Sequence, residues 1–106
     1  MSALVASGHV APNAAGLLAY LAEDSAAIKL LSLQKIYDIV DVYWAEICAY
    51  LPLIEEISED LAFPGHELAA AIASKCFYHL GELDEALKIA LNSGKYLGIL
   101  TNLFYE

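Results

Sequence analysis

Positive charge is scarce in this 106-residue sequence: five Lys and Arg residues stand against 14 Asp and Glu, a formal net charge of −9. Binding to nucleic acid is excluded on that ground, because phosphate contacts need a basic face that so few cations cannot build. Long apolar runs are missing as well. The longest stretch free of Asp, Glu, Lys and Arg, residues 1–22, is interrupted by Ser2, Ser7, Gly8, His9, Pro12, Asn13 and Gly16. A membrane-spanning helix needs about 20 predominantly apolar residues in succession, so no membrane role is expected. No Lys or Arg precedes Lys29, and the basic start of a secretory leader is therefore lacking. A protein of the cytoplasm and nucleus is expected. Cysteine is limited to Cys48 and Cys76, with no CxxC pair. Both read as buried free thiols behaving as small hydrophobes, since a reducing compartment disfavours a disulfide.

The residues that build strands are also rare. Val occurs four times and Thr once, whereas Leu and Ala occur 18 times each. That balance favours helix, and no segment alternates with a period of two. Overall 59% of the residues are hydrophobic, which excludes a disordered chain.

The apolar spacing predicts five or six short helices. The first covers residues 14–22 behind Asn13, a good N-cap, with Leu17, Leu18 and Leu21 on one side. Residues 23–25 break and recap the chain. The second helix runs over residues 26–41, with Ile28, Leu31, Leu33, Ile36 and Val40 assigned to its apolar stripe and Gln34, Asp38 and Asp41 to solvent. Tyr43, Ile47, Leu51 and Ile54 extend the stripe, and Pro52 would kink a helix running through it. Phe63-Pro64-Gly65 marks a loop. A fourth helix follows at residues 66–80, a fifth at residues 83–91 with Ala86, Leu87, Ala90 and Leu91 facing in, and a short sixth at residues 96–105. Asp84 and Glu85 suit the positive end of the fifth helix and Lys88 its negative end. The fold class is all-α, with antiparallel helical hairpins stacked as in an α-solenoid or a tetratricopeptide-like array. Residues 1–12 are expected to form a flexible tail, and residues 13–106 one domain.

The most informative segment is Tyr78-x-Leu80-Gly81-x-x-x-Glu85-Ala86-Leu87-x-x-Ala90-Leu91. Phe77, Tyr78 and Leu80 would pack the end of one helix, Gly81 would supply a positive φ, and Ala86 and Ala90 would let the next helix approach closely. Tetratricopeptide-like hairpins follow the same logic, although no second copy occurs at their ~34-residue spacing.

Three blocks in order give a sharper resemblance: Ala14-Ala-Gly-Leu-Leu18, Tyr43-Trp-Ala-Glu-Ile47, and the stretch from Ala69 to Ala90 containing Phe77-Tyr-His-Leu-Gly81. From Asn13 to Gly94 the chain resembles the N-terminal region of the 26S proteasome non-ATPase regulatory subunit 1 family, the largest scaffold subunit of the regulatory-particle base. Residues 96–106 depart from the pattern. The resemblance implies a non-catalytic scaffold in ubiquitin-dependent protein degradation, whose partners are other regulatory-particle subunits. In that family a rod-like helical solenoid comes first, followed by a ring of proteasome/cyclosome repeats and a tail that docks a ubiquitin receptor. Only the opening of the solenoid would be present here. The chain stops in an apolar stretch, Leu103-Phe104-Tyr105, just before Glu106, which leaves a fragment, a shortened gene product and a split subunit all open.

Chemical motifs are few. His9, His66 and His79 are not paired with other ligands at metal-binding spacing. Cys76 and His79, three apart, can share a helix face, but a structural histidine is the better reading. GxGxxG and GxxxxGK[ST] are absent, and Ser25, Ser32, Ser58, Ser74 and Ser93 lack a nucleophile elbow. No enzymatic activity, cofactor or metal is expected. Trp44 and Tyr43 read as core. Glu55, Glu56, Glu59 and Asp60, and again Glu82, Asp84 and Glu85, read as solvated faces. The first group is the candidate acidic docking surface for a basic partner. Apolar faces left open by a missing neighbour would favour self-association. A generic helical-repeat adaptor that binds a peptide or partner helix is the alternative.

Overall fold

A computed structural model describes residues 14–105. Asn13, the expected first cap, and the expected tail lie outside the described residues. The described residues are all-α, in the order α1 (Ala14–Ala19), α2 (Ala26–Ile47), α3 (Leu51–Glu59), α4 (His66–His79), α5 (Leu83–Ala90) and α6 (Leu97–Phe104). Short 3-10 turns follow α1 at Tyr20–Ala22, follow α2 at Cys48–Tyr50 and precede α6 at Gly94–Tyr96. The principal extents are 40 × 29 × 21 Å. No helix among the described residues is long and apolar enough to cross a membrane.

Helix α1 buries Leu17 and Leu18, and the turn after it buries Leu21. Ser25 then starts α2, its side chain accepting a hydrogen bond from the Ile28 N–H at 3.3 Å. Such a cap replaces one of the bonds that the first turn of a helix lacks. The buried stripe of α2 is Leu33, Ile36, Val40 and Ile47. Ile28 and Leu31, expected on the same stripe, are exposed. At about 100° per residue Leu31 lies about 200° from Leu33 and Ile28 about 140° from it, so neither can share its face. Ser32 is buried in their place, donating its hydroxyl to the Ile28 carbonyl.

The passage from α2 to α3 differs from a simple proline kink. The helix bends at Tyr43 (φ −105°, ψ 23°), ends at Ile47 and tightens into a 3-10 turn. Pro52 sits in the first turn of α3, where its missing N–H costs no helical hydrogen bond. Proline therefore starts a helix here instead of bending one.

Helix α4 is the centre of the fold. Every residue from Leu68 to Cys76 is buried, as befits a helix surrounded by neighbours. It packs on α2, α3 and α5. Ala69, Ala70, Ala71 and Ala73 line it, so neighbouring backbones approach closely. The helix ends in a Schellman arrangement: the Glu82 N–H donates to the Phe77 carbonyl at 2.9 Å and the Gly81 N–H to the Tyr78 carbonyl at 3.0 Å. Gly81 has φ +82°. Leu80, expected to pack the helix end, is 44% exposed. The chain reverses immediately after it, which leaves Leu80 on the outer edge of the hairpin. Phe77 and Tyr78 pack inward instead, Tyr78 stacking on Phe104 of α6 with centroids 4.9 Å apart.

Ala86 and Ala90 of α5 are buried and Leu87 is half-buried. Ser74 of α4 donates its hydroxyl to the Ala86 carbonyl at 2.7 Å, tying the hairpin at its closest approach. Leu91, expected to face in, is exposed, since it lies about 100° from Ala90 and about 140° from Ala86. Leu100 and Phe104 anchor α6.

Gly94 has φ +56°, and a Cβ there would collide with the Glu67 carboxyl group. A Cβ on Gly81 would meet nothing within 4 Å. Gly81→Val is therefore expected to destabilise through backbone strain alone, by about 1–3 kcal/mol. Gly94→Ala should cost about as much as Gly81→Ala, because the Glu67 carboxyl group ends a flexible side chain and can swing aside, leaving positive-φ strain as the main loss at both positions. Chemical denaturation of the three variants checks this, and a much larger loss at Gly94 would contradict it.

Candidate interaction surface

The polar centre of the molecule lies on the α2–α4 seam. Lys75 is buried amid the alanines of α4. A buried ammonium needs a counter-charge, and Asp41 of α2 supplies it: Lys75 Nζ donates to Asp41 Oδ2 at 2.9 Å. His79, one turn further along α4, places Nε2 2.9 Å from Asp41 Oδ1. An ionised carboxylate only accepts, so Nε2 carries the proton. The His79 imidazole stacks on Trp44 at 5.5 Å, with 11° between the planes. Lys75 also lies over the Tyr37 ring, 4.6 Å from its centroid, a cation–π contact.

Desolvation works to raise the Asp41 pKa, but the hydrogen bonds and charges of Lys75 and His79 outweigh it, and the net shift is below the usual 3.8. Burial pushes the Tyr37 phenol up, against the pull of Lys75. Burial also raises both thiols, Cys76 far more than Cys48, which suppresses the reactive thiolate. The Cys48 thiol points its weak hydrogen bond at the Cys76 carbonyl, 3.8 Å away. Among the described residues no group of three or more His, Cys, Asp or Glu side chains could hold a metal ion. His79 faces Asp41 and Trp44, and the Asp41 carboxylate, engaged by both Lys75 and His79, joins α2 to α4.

The acidic residues singled out from sequence are divided by the structure. Glu55, Glu56 and Glu59 line an open groove with Pro52 and Leu53. Asp60 does not line it; its Oδ1 accepts from the Ala62 N–H at 3.2 Å and holds the turn after α3. Glu82, Asp84 and Glu85 form a second acidic surface at the hairpin turn with Gly81 and Leu83. A third depression, between the α3–α4 and α5–α6 connections, is flanked by Leu61 and Leu91. The sequence reading missed Asp41 and Lys75. The available signal was Lys75 itself, a lone cation in an otherwise apolar helix.

The class of protein defined so far is a small all-α module built around a helical hairpin, with polar groups spent on internal joints and acidic and apolar groups displayed outward. Residues 12–105 match the family described as 26S proteasome subunit RPN2, N-terminal domain, and the chain belongs to that family. The match includes α6, so residues 96–105 follow the family pattern after all. The chain is 46% identical over 82 residues to the 26S proteasome regulatory subunit rpn2 of Schizosaccharomyces pombe, covering 77% of this chain and 8% of that protein. It is 43% identical over 82 residues to the 26S proteasome non-ATPase regulatory subunit 1 of Drosophila melanogaster, with the same two shares. Against the Saccharomyces cerevisiae regulatory subunit RPN2 it is 46% identical over 79 residues, 74% of this chain and 8% of that protein. The chain thus spans less than a tenth of the length of these relatives.

Asp41→Ala is expected to destabilise by about 1–3 kcal/mol, because it strands Lys75 without a counter-charge; the half-exposure of Asp41 keeps the loss below that of a fully buried pair. The sign with pH follows from the depressed pKa. The Asp41 contribution is complete above about pH 4, where unfolded Asp41 is ionised, and is lost as pH falls through the lower folded value. The gap in stability between wild type and Asp41→Asn should therefore shrink on acidification. Denaturant melts across that range measure it, and a gap that widens towards low pH would contradict the assignment.

Proposed function

We propose that the chain is a non-catalytic scaffold segment that works through protein–protein contacts within the proteasome regulatory particle, and so serves ubiquitin-dependent protein degradation. The observation that carries this reading is family membership over residues 12–105, together with relatives named as regulatory subunits of the 26S proteasome. The geometry supports it. The most polar cluster is consumed in joining α2 to α4, which leaves surfaces as the means of action. Its partners in this reading are other regulatory-particle subunits, and its place is the cytoplasm and nucleus.

Affinity purification of the tagged chain from cells, followed by mass spectrometry, tests the proposal. Recovery of regulatory-particle base or lid subunits is expected. Recovery of a monodisperse monomer with none of them would overturn it, and enrichment of unrelated proteins sharing a short linear motif would favour a generic adaptor.

A further inference from the structure

We propose that the cleft between the α3–α4 and α5–α6 connections docks a basic aliphatic segment of another protein, one that presents a Leu, Ile or Val side chain flanked by Lys or Arg. This deepens the scaffold reading, on which it rests, by naming the chemistry of a partner. The cleft has a volume of about 440 Å³, and Glu59, Leu61, His66, Glu67, Leu91 and Asn92 are among the residues that line it. Two features define it.

The first is apolar. Leu61 and Leu91 are 77% and 70% exposed, among the most exposed large hydrophobic side chains described. They come from separate connections, yet they border one depression. An aliphatic side chain seated between them would remove both from water.

The second is charge. Glu59 and Glu67 border the cleft, and no hydrogen bond or ion pair engages either carboxylate among the described residues. Glu67 is half-buried, and its carboxyl group lies against Gly94. Glycine at that position makes room for it. No lysine pairs with either carboxylate among the described residues. Lys75 is held by Asp41 and Lys88 by Glu85, while Lys29 and Lys95 lie over the rings of Phe63 and Tyr96. No Lys or Arg lines the cleft. The complementary partner therefore brings its own cations, as charge matching across an interface requires. The groove at Glu55 and Glu56 lacks such exposed leucines, and the hairpin-turn surface carries one, Leu83, 40% exposed, so the more exposed pair of Leu61 and Leu91 distinguishes this site.

The test is an NMR titration of the full 106-residue chain with a synthetic amphipathic peptide of Leu and Lys, about 12 residues long. A peptide of equal charge with Ser in place of Leu serves as control. Amide shifts are expected to cluster at residues 58–67 and 91–94. The exposed pair Leu61→Ser and Leu91→Ser should leave the melting temperature unchanged and weaken binding about tenfold. Glu59→Gln with Glu67→Gln should weaken binding and flatten its salt dependence. Shifts centred on residues 52–56 or 82–85, equal binding of the Leu-free control, or wild-type affinity in the double Leu variant would each overturn the inference. The scaffold reading fails separately. A chain that co-purifies with regulatory-particle subunits but does not take the peptide at the cleft sinks only the inference. One that binds the peptide there and recovers no such subunit sinks only the scaffold reading.

Discussion

Helix α4 is enclosed by its neighbours, and that enclosure sets the terms for the rest of the molecule. A helix covered on every side cannot carry large side chains everywhere, because the surrounding backbones would be pushed apart. The run of Ala69, Ala70, Ala71 and Ala73 answers that constraint. It also cannot carry an unanswered charge. Lys75 breaks the apolar run, and Asp41 and Tyr37 of α2 answer it from across the seam. The bend in α2 at Tyr43 lies beside this joint, between Asp41 and the stacking partner Trp44. Packing and electrostatics thus fix α2 against α4 at the same place.

The α4–α5 hairpin depends on the same enclosure from the other side. Ser74 is fully buried and would carry an unsatisfied hydroxyl if α5 were further away; the Ala86 carbonyl receives it. That bond is possible only because Ala86 and Ala90 present no bulk to α4. Gly81 turns the chain tightly enough to bring the alanines into register. A small residue, a positive φ and one buried hydroxyl are therefore parts of a single solution.

Much of this was legible locally. Gly81 after an apolar helix, Ala86 and Ala90 at four-residue spacing, and Ser25 before α2 are short-range signals, and the helices appear where they point. Features that depend on the direction of a face or on distant pairing were less legible. Leu31 and Ile28 looked like stripe residues because they are apolar, and their angular phase relative to Leu33 places them outside. Pro52 looks the same in sequence whether it kinks a helix or opens one; the 3-10 turn before it decides. Asp41 lies 34 residues from Lys75 and 38 from His79, beyond any helical periodicity, so its solvent-side position in α2 gave no hint of the joint. Asp60 shows the limit for surfaces, since adjacency to Glu59 did not put its carboxylate in the same groove.

The apolar excess and the acidic balance now have separate structural explanations. Alanine and leucine fill the enclosure around α4, where composition alone suggested only an unusually greasy short chain. The acids lie mainly outside it, on α3, at the hairpin turn and around the cleft. Four of the five lysines are spent within the chain, on Asp41, on Glu85 and on two aromatic rings. Attraction between opposite charges acts at longer range than apolar contact, so in the proposed docking a basic partner would be drawn to the exposed Leu61 and Leu91 ahead of a neutral one.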